Sequence, residues 1–597
     1  MKKRDEKQMK ENIYKDSSLS TTIDKIRGIL SENEINVTEK PCEGFDGLYS
    51  VRLIIDGIGL GTNGKGMSKE IALASAYGEL MERIQNYALY KFTYPTIFDT
   101  ANTKFYYAPD ETSVAFIQYP NYVKGFENAI NLTNIFDMKK INNSYECNQD
   151  MFLCIPYVDY VSGATVYLPA KLIEHIYASN GMAAGNTYSE ALVQSISEIF
   201  ERYSNKIIGE GKHVPPDLPV EKINFSQDML NVLDLIKRKG KYEITFKDCS
   251  LGMGLPVVGM YFVDKETGKY FFKFGAHPIL SIAAERTITE LFQGRKFINS
   301  NLWLKSFSFI ESKDTGRNFE KIFRDGNGTY PYTIFGDESS YDLSESWFND
   351  DSGVADNNVL LKFMLEIITR NNWSFFHRNV SFLGFPAVHG IIPEISYVNI
   401  IDENYIRKRH EFLNIKKSIS TINSCDNNDL LSIIDFIDNN YYASHDTILP
   451  LVGLPLNEAN IFSKTNNLYL KFLLYSKIKR FNEALECLDS FITFSNLSNS
   501  RNGTIYRCLR ETIYALKIKN IPIKEVKKVL LKIFDNEIVD SSIEIVCFEK
   551  YLEDFHQLKC FDCDSCNYVD ECRHHLIVKF HEKISAKYQE WMESSYD

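Results

Sequence analysis

No apolar run in this 597-residue chain approaches the ~20 residues that a bilayer-crossing helix needs, so no membrane span is expected. The basic start, MKKRDEKQMKENIYKDSS, has no apolar stretch behind it and is not read as a signal peptide. Positive charge is in deficit: 67 Lys and Arg against 79 Asp and Glu give a formal charge of −12. That argues against direct nucleic-acid binding, which usually leaves a basic footprint. No Walker A motif is present, because Gly64-Lys65 continues into Gly66-Met67 rather than Ser or Thr. The protein-kinase motif set is missing too. Cysteines paired for disulfides are not in view either. Eight of the 12 (Cys42, Cys147, Cys154, Cys249, Cys425, Cys487, Cys508, Cys547) are scattered singly, as buried thiols in a reducing compartment would be. The protein is therefore read as cytoplasmic, and its length calls for two or more domains.

What the chain does have is acids at helical spacing. In SNGMAAGNTYSEALVQSISEIFERYSN, Glu190, Gln194, Glu198 and Glu201 follow one another at steps of four, four and three residues. At 3.6 residues per turn they share one face, while Leu192, Val193, Ile196, Ile199 and Phe200 cover much of the rest. Taken alone, such a face is usually a solvated one with Lys or Arg partners. Here it occurs twice. TNGKGMSKEIALASAYGELMERIQN carries Ser75, Glu79 and Glu82, and superposing ELMER on EIFER pairs Glu79 with Glu198, Glu82 with Glu201 and Arg83 with Arg202. A third helix, after Gly275-Ala-His-Pro, adds Arg286 and Glu290 one turn apart. Carboxylates on an otherwise apolar helix repel one another and lose hydration unless a cation lies against them. Two such faces behind glycine-rich turns predict two halves of one polyphosphate site. Turn amides and helix N-termini would hold phosphates, and the carboxylates would hold Mg²⁺.

The alternation of helical and β-like segments from Thr21 to Gln293 predicts an α/β or α+β core with antiparallel sheet. Helices are expected over Thr21–Ser31 and Ser68–Tyr90. Strands are expected over Tyr49–Asp56, Met151–Tyr160, Thr165–Leu168, Leu255–Asp264 and Tyr270–Phe274. TYPYTIF, WSFFHRNVS and AVHGIIPEISYV are read as further strands returning to that core. Composition turns to Ser, Asn and Asp around 414–440, so the domains are set at 1–412, a linker at 413–450 and a helical domain at 451–597. LYLKFLLYSKIKRFNEALECLDSFITF there looks like a tetratricopeptide-type helix pair, with no 34-residue repeat behind it. Gly59-Leu-Gly61-Thr-Asn-Gly64 formally matches the dinucleotide fingerprint. It is set aside because the second turn lacks it and the acids lie inside a helix.

These motifs resemble the YcaO superfamily, whose hallmarks are S-x-x-x-E-x-x-E-R, E-x-x-x-Q with a following acid pair, and R-x-x-x-E. Here they read Ser75/Glu79/Glu82/Arg83, Glu190/Gln194/Glu198/Glu201/Arg202 and Arg286/Glu290, in the family's order. The resemblance is nearest to stand-alone members and extends over nearly the whole chain. It implies an α/β (α+β) fold with duplicated helix/antiparallel-sheet halves, beside the all-α, tetratricopeptide-like C-terminal domain read from the helical segments. It also implies ATP bound through two or more Mg²⁺. By that resemblance Glu79, Glu82, Glu198, Glu201 and Glu290 are metal or phosphate ligands, and Ser75, Glu79, Asn186, Glu190, Gln194, Arg202 and Arg286 contact the nucleotide. Lys15 and Thr22 match a Lys and Ser pair that closes over the phosphates. Ala183 stands where the family often has Ser. Members of known activity use ATP to activate a backbone amide for attack by a side chain, a sulfur donor or an amine. Azoline-forming members usually end in a proline-rich tail. This sequence ends KYQEWMESSYD, which ranks azoline formation below thioamide formation or support of β-methylthiolation of a small-subunit ribosomal protein. The expected partners are a peptide or protein substrate, with a radical methylthiotransferase or a sulfur-donor protein beside it. A homodimer is common in the family.

A separate signal lies near the end. Cys560, Cys563, Cys566 and Cys572 are followed by His574 and His575. Four thiols this close can close on one metal. The C-x2-C-x2-C spacing is reminiscent of iron–sulfur ligation, zinc sites more often pair two C-x2-C knuckles, and a metal-free cluster is the third reading. A structural staple is favoured over a redox role. His377, His389 and His410 are read as packing or surface residues, and His277 as a secondary candidate for phosphate contact.

Overall fold

The computed structural model describes residues 14–42, 48–91, 104–115, 130–131, 151–238, 242–290, 305–309, 318, 322, 328–345, 347–348, 356–439, 447–495, 497, 503–560 and 562–594. Cys147 and Gln293 lie outside them, as does the start of the sequence. Residues 1–92, 104–402 and 580–597 form one compact unit, and residues 93–103 and 403–579 form a second.

In the first unit, β1 (Val37–Cys42), β2 (Tyr49–Ile55) and β3 (Gly61–Gly66) form an antiparallel sheet, with Val37 opposite Ile55 and Tyr49 opposite Gly66. Alternation along β2 buries Val51, Leu53 and Ile55. A second sheet has β4 (Thr112–Ala115), β5 (Met151–Asp159), β11 (Phe376–Asn379), β12 (Ala387–Ile391) and β7 (Met182–Ala184) in that order, with β6 (Thr165–Pro169) also on β5. A third joins β8 (Tyr242–Asp248), β9 (Val257–Asp264) and β10 (Lys269–Ala276), edged by Lys305–Ser306. All pairings within these three sheets are antiparallel, as expected. Against them lie α1 (Leu19–Glu32), α2 (Lys69–Gln85), α3 (Tyr188–Gly209), α4 (Leu280–Glu290) and α5 (Asn357–Arg370).

Three differences from the sequence expectation have local causes. The stretch around Gly64, expected as a phosphate-holding turn, is mostly strand β3, because its backbone pairs with β2. The helix expected over Ser68–Tyr90 stops at Gln85, and Tyr87 takes φ 57° before a short turn of helix at Ala88–Lys91. TYPYTIF holds a 3-10 turn, Tyr332–Phe335, behind Pro331, whose missing N–H suits a turn better than an inner strand.

The expected duplication is a threefold device. β3–α2 and β10–α4 each set a strand glycine (Gly64, Gly275) against a fully buried alanine eight residues on (Ala72, Ala283), and in β7–α3 buried Ala183 and Ala191 stand at the same spacing. A Cβ on Gly64 would stand 1.9 Å from the Ala72 carbonyl oxygen, and one on Gly275 would stand 2.3 Å from that of Ala283. Seven residues after each alanine comes a glutamate: Glu79, Glu198 or Glu290. Close strand–helix contact thus fixes the height at which each carboxylate is presented.

The second unit is helical among its described residues. The segment 413–450, expected as a linker, instead carries α6 (Glu403–Ser420) and α7 (Asn427–Asn439), with Ile415, Ile419, Ile433 and Ile434 in the core. The polar composition that suggested a linker serves solvent faces and helix starts. Asp426, for example, accepts from the N–H groups of Asn428 and Asp429 at 2.8 and 2.9 Å. The expected helix pair is present as α8 (Asn467–Lys477) and α9 (Phe481–Phe494), packed through Leu470, Leu474, Leu485 and Leu488.

Candidate nucleotide and metal site

Two groups of sequence-selected residues assemble in the first unit. The first gathers at the start of α3, where Thr187 caps the helix by accepting from the Glu190 N–H at 3.1 Å. Lys15 Nζ donates to Glu190 Oε1 at 2.8 Å, and the Asp16 N–H to Oε2 at 3.0 Å. Asn186 Nδ2 reaches the same carboxylate at 3.2 Å, and the Thr22 hydroxyl donates to Asn186 Oδ1 at 2.7 Å. Burial raises the Glu190 pKa, but Lys15, the Asp16 N–H and Asn186 outweigh it and leave the carboxyl below its usual range. Asn357 Nδ2 holds the segment 14–16 in place by donating to the Tyr14 carbonyl at 3.0 Å and to Asp16 Oδ1 at 2.9 Å. Lys15, Thr22, Asn186 and Glu190, four residues spread over 175 positions, are therefore one cluster.

The second group surrounds Lys65, which β3 presents from between Gly64 and Gly66 and which contacts Glu290. Glu79 and Glu82 of α2, Glu198 and Glu201 of α3, and Glu290 of α4 converge here. Arg83 Nε lies 3.3 Å from Glu82 and its Nη2 lies 3.8 Å from Glu79; Arg202 Nη2 lies 2.9 Å from Glu198. Arg286 of α4 joins that helix to α3: Nη1 donates to the Ala276 carbonyl at 2.6 Å and Nη2 to Gln194 Oε1 at 2.7 Å, and its charge acts on Lys65 and Glu201. Ser75 is half-buried on α2, one turn before Glu79.

Burial pushes the Glu79, Glu82 and Glu201 carboxyls above their ordinary range. Glu198 adds to all three shifts, while Arg83, Lys65 and Arg202 oppose them. Burial also brings Lys65 down to about 8, against the pull of Glu201 and Glu79. These groups are short of positive charge, which fits a divalent cation. Among the described residues no three His, Cys, Asp or Glu side chains close into a metal shell by themselves. Mg²⁺ suits that arrangement, since it commonly takes one or two carboxylates and completes its octahedron with phosphate and water.

Lys65 is the site residue that spacing does not flag; its only signal is a lysine set between glycines just before an acid helix. Arg52, which hydrogen-bonds Asn63 at 3.2 Å and acts on Glu79, carries no signal at all. His277 is buried beside this site. Its Nδ1 accepts from the Ile279 N–H at 3.1 Å, its ring lies edge-on to Tyr14, and burial with Arg286 and Lys15 nearby holds it neutral.

The family profile described as YcaO cyclodehydratase, ATP- and Mg²⁺-binding, matches residues 63–396, and a YcaO cyclodehydratase C-terminal domain profile matches residues 412–586. The chain belongs to the YcaO family. It is 27% identical over 466 residues to the ribosomal protein S12 methylthiotransferase accessory factor YcaO of Escherichia coli K12, covering 75% of this chain and 77% of that protein. It is 30% identical over 321 residues to an uncharacterized protein of Haemophilus influenzae, covering 51% of this chain and 52% of that protein. Similar solved structures include YcaO from Methanopyrus kandleri bound with AMPPCP and Mg²⁺, at 17% identity, a TM-score of 0.40, and coverage of 66% of this chain and 94% of that one. Another is a heterocyclase in complex with substrate and cofactor, at 14% identity, a TM-score of 0.45, and coverage of 64% and 53%. At those scores neither structure positions residues of this chain. No helix among the described residues is long and apolar enough to cross a membrane.

Proposed function

We propose that the chain binds ATP with Mg²⁺ at this site and uses it to activate a backbone amide of a peptide or protein. The observation that carries the reading is the convergence of Glu79, Glu82, Glu198, Glu201 and Glu290 on Lys65, Arg83, Arg202 and Arg286. Five carboxylates against four cations leave no surplus positive charge, so a polyphosphate enters with divalent metal or not at all. Glu79, Glu82, Glu198, Glu201 and Glu290 would hold Mg²⁺, which neutralises charge building on the transferred phosphoryl group. Lys15, Thr22, Ser75, Asn186, Glu190, Gln194, Arg202 and Arg286 position the nucleotide. The substrate's amide oxygen takes the γ-phosphoryl group as the β–γ bond breaks and ADP leaves. A nucleophile then adds to the amide carbon, and the oxygen departs as phosphate.

The name of the Escherichia coli relative favours a second reading, in which nucleotide binding supports a separate radical methylthiotransferase acting on a ribosomal protein. The second unit, with its tetratricopeptide-like α8–α9 pair, would then dock that partner. Nucleotide affinity with and without Mg²⁺, for wild type and Glu198→Ala/Glu201→Ala, tests the shared part. Metal-dependent binding that falls at least about 100-fold in the variant supports the site, taking ~1.4 kcal/mol per tenfold and two charge-assisted ligands lost. Equal affinity overturns it. Phosphate release stimulated by peptide and abolished by Glu201→Ala selects amide activation. Tight binding without turnover selects the accessory role.

A further inference from the structure

We propose that Cys560, Cys563, Cys566 and Cys572 bind a thiophilic metal centre, a zinc ion or an iron–sulfur cluster, that clasps the end of the helical unit. All four thiols line one pocket in that unit, and all are free of disulfides. Packing accounts for them only in part: Cys566 and Cys572 lie at the edge of the helical core. Cys154, Cys249, Cys487 and Cys508 are buried as core thiols are, whereas Cys560 is exposed and the other three are half-exposed.

The backbone around them is organised. Two 3-10 turns, Cys563–Ser565 and Val569–Glu571, each deliver the chain into a cysteine, Cys566 and Cys572. The Cys566 N–H donates to the Cys563 carbonyl at 3.2 Å, so two of the thiols flank one turn. Cys572 is pinned by its bridge to Leu456, with Asn457 N–H to the Glu571 carbonyl at 2.8 Å and Arg573 N–H to the Pro455 carbonyl at 2.9 Å on either side. Leu454, Leu456 and Leu558 form the apolar wall. The thiols share the pocket without being drawn to one point. Closing on a metal takes rotation about each Cys χ1, with the backbone turns kept. Thiolate donors select zinc or iron–sulfur centres over Mg²⁺, so this centre is chemically distinct from the carboxylate site. A metal here staples the loop 560–572 on itself, and the backbone bonds at Cys572 join that loop to the Leu454–Asn457 segment. Nothing in this proposal depends on the nucleotide site.

The test uses the full chain purified without oxygen. Zinc, iron and acid-labile sulfide are measured in wild type, in Cys563→Ser/Cys566→Ser, and in Glu201→Gln as a control. The expected result is about one zinc per chain, or iron with matching sulfide, retained in the control and at least tenfold lower in the double variant. Sulfide with visible absorption identifies the cluster, and zinc alone the single ion. X-ray absorption at the metal edge of the wild type gives a readout even where the variant fails to fold, with sulfur ligands at about 2.3 Å expected for zinc. Wild-type protein without zinc or iron after anaerobic reconstitution, or a metal edge with only nitrogen and oxygen ligands, overturns the proposal.

Discussion

Arg286 shows how one side chain can join a strand and two helices. Its fork donates to a strand carbonyl and to Gln194 in fixed directions, and lysine has no fork to replace it. Arg286→Lys is therefore expected to weaken Mg–ATP binding about tenfold while leaving the unfolding midpoint nearly unchanged, since one charge-assisted hydrogen bond is lost. Titration calorimetry beside a denaturant curve checks this. His389 makes a different argument. Its Nδ1 lies 2.7 Å from the Tyr157 hydroxyl and its Nε2 lies 3.2 Å from the Asn180 carbonyl, so the neutral ring is satisfied on both sides. Burial depresses its pKa to about 3 from 6.5, and His581 is depressed to about 3 in the same way. Between pH 6.5 and 3 the unfolded chain takes up protons that the folded chain refuses, so stability falls as pH is lowered through that window. Each histidine contributes up to about 1.4 kcal/mol per pH unit there. Denaturation midpoints between pH 7 and 5 should fall more gently for His389→Gln than for wild type. The packing role expected of His389 is thus what the structure shows; its link to the Asn180 turn was not legible, because Tyr157 and Asn180 are far from it in sequence.

At the scale of elements, the three strand–helix units make glycine the informative residue. Gly64→Ala and Gly275→Ala would drive a methyl into backbone at 1.9 and 2.3 Å, so strand and helix must separate. The expected cost is about 1–3 kcal/mol of stability, with a larger loss of nucleotide affinity as Glu79 or Glu290 is displaced. Gly78→Ala on α2 is the contrast. Its added Cβ meets nothing within 4 Å, and helix propensity favours alanine, so stability should rise by about 0.5–1 kcal/mol. Thermal unfolding of the three variants with and without Mg–ATP separates the two effects. Acid spacing made α2, α3 and α4 readable as helices with their faces assigned. β3 was misread because a GTNGKG stretch has a turn's composition, and only the ladder to β2 and the pressing of α2 make it a strand.

For the whole molecule, the chain returns at its end to the unit in which it began. Residues 580–597 belong to the first unit, although the whole of the helical unit precedes them. Tyr588 donates to Asp110 at 2.8 Å, beside the Arg378–Asp110 pair at 2.7 Å, and His581 bonds the Tyr90 hydroxyl at 2.7 Å. Tyr588→Ala removes a buried aromatic and a partner of that ion pair, and should cost the first unit about 3–5 kcal/mol, read from its unfolding transition. A stability loss below 1 kcal/mol would show the tail to be dispensable. Periodicity could not reveal this contact, just as polar composition placed a linker where α6 and α7 lie. What the sequence determined by itself was the local part: that the acid-bearing segments form helices, which face carries Glu79, Glu82, Glu198 and Glu201, and, through motif order, the family. Only the tertiary structure decided that Lys65 sits among those acids, that Lys15 and Thr22 close on Glu190 and Asn186, and that the tail returns to the first unit. The physical reason is that helical periodicity fixes neighbours within a few turns. Contacts across 100 residues or more depend on how close two backbones can approach, and that is set by buried small residues such as Gly181 and Gly390, where a Cβ on Gly181 would stand 2.1 Å from the Gly390 carbonyl oxygen.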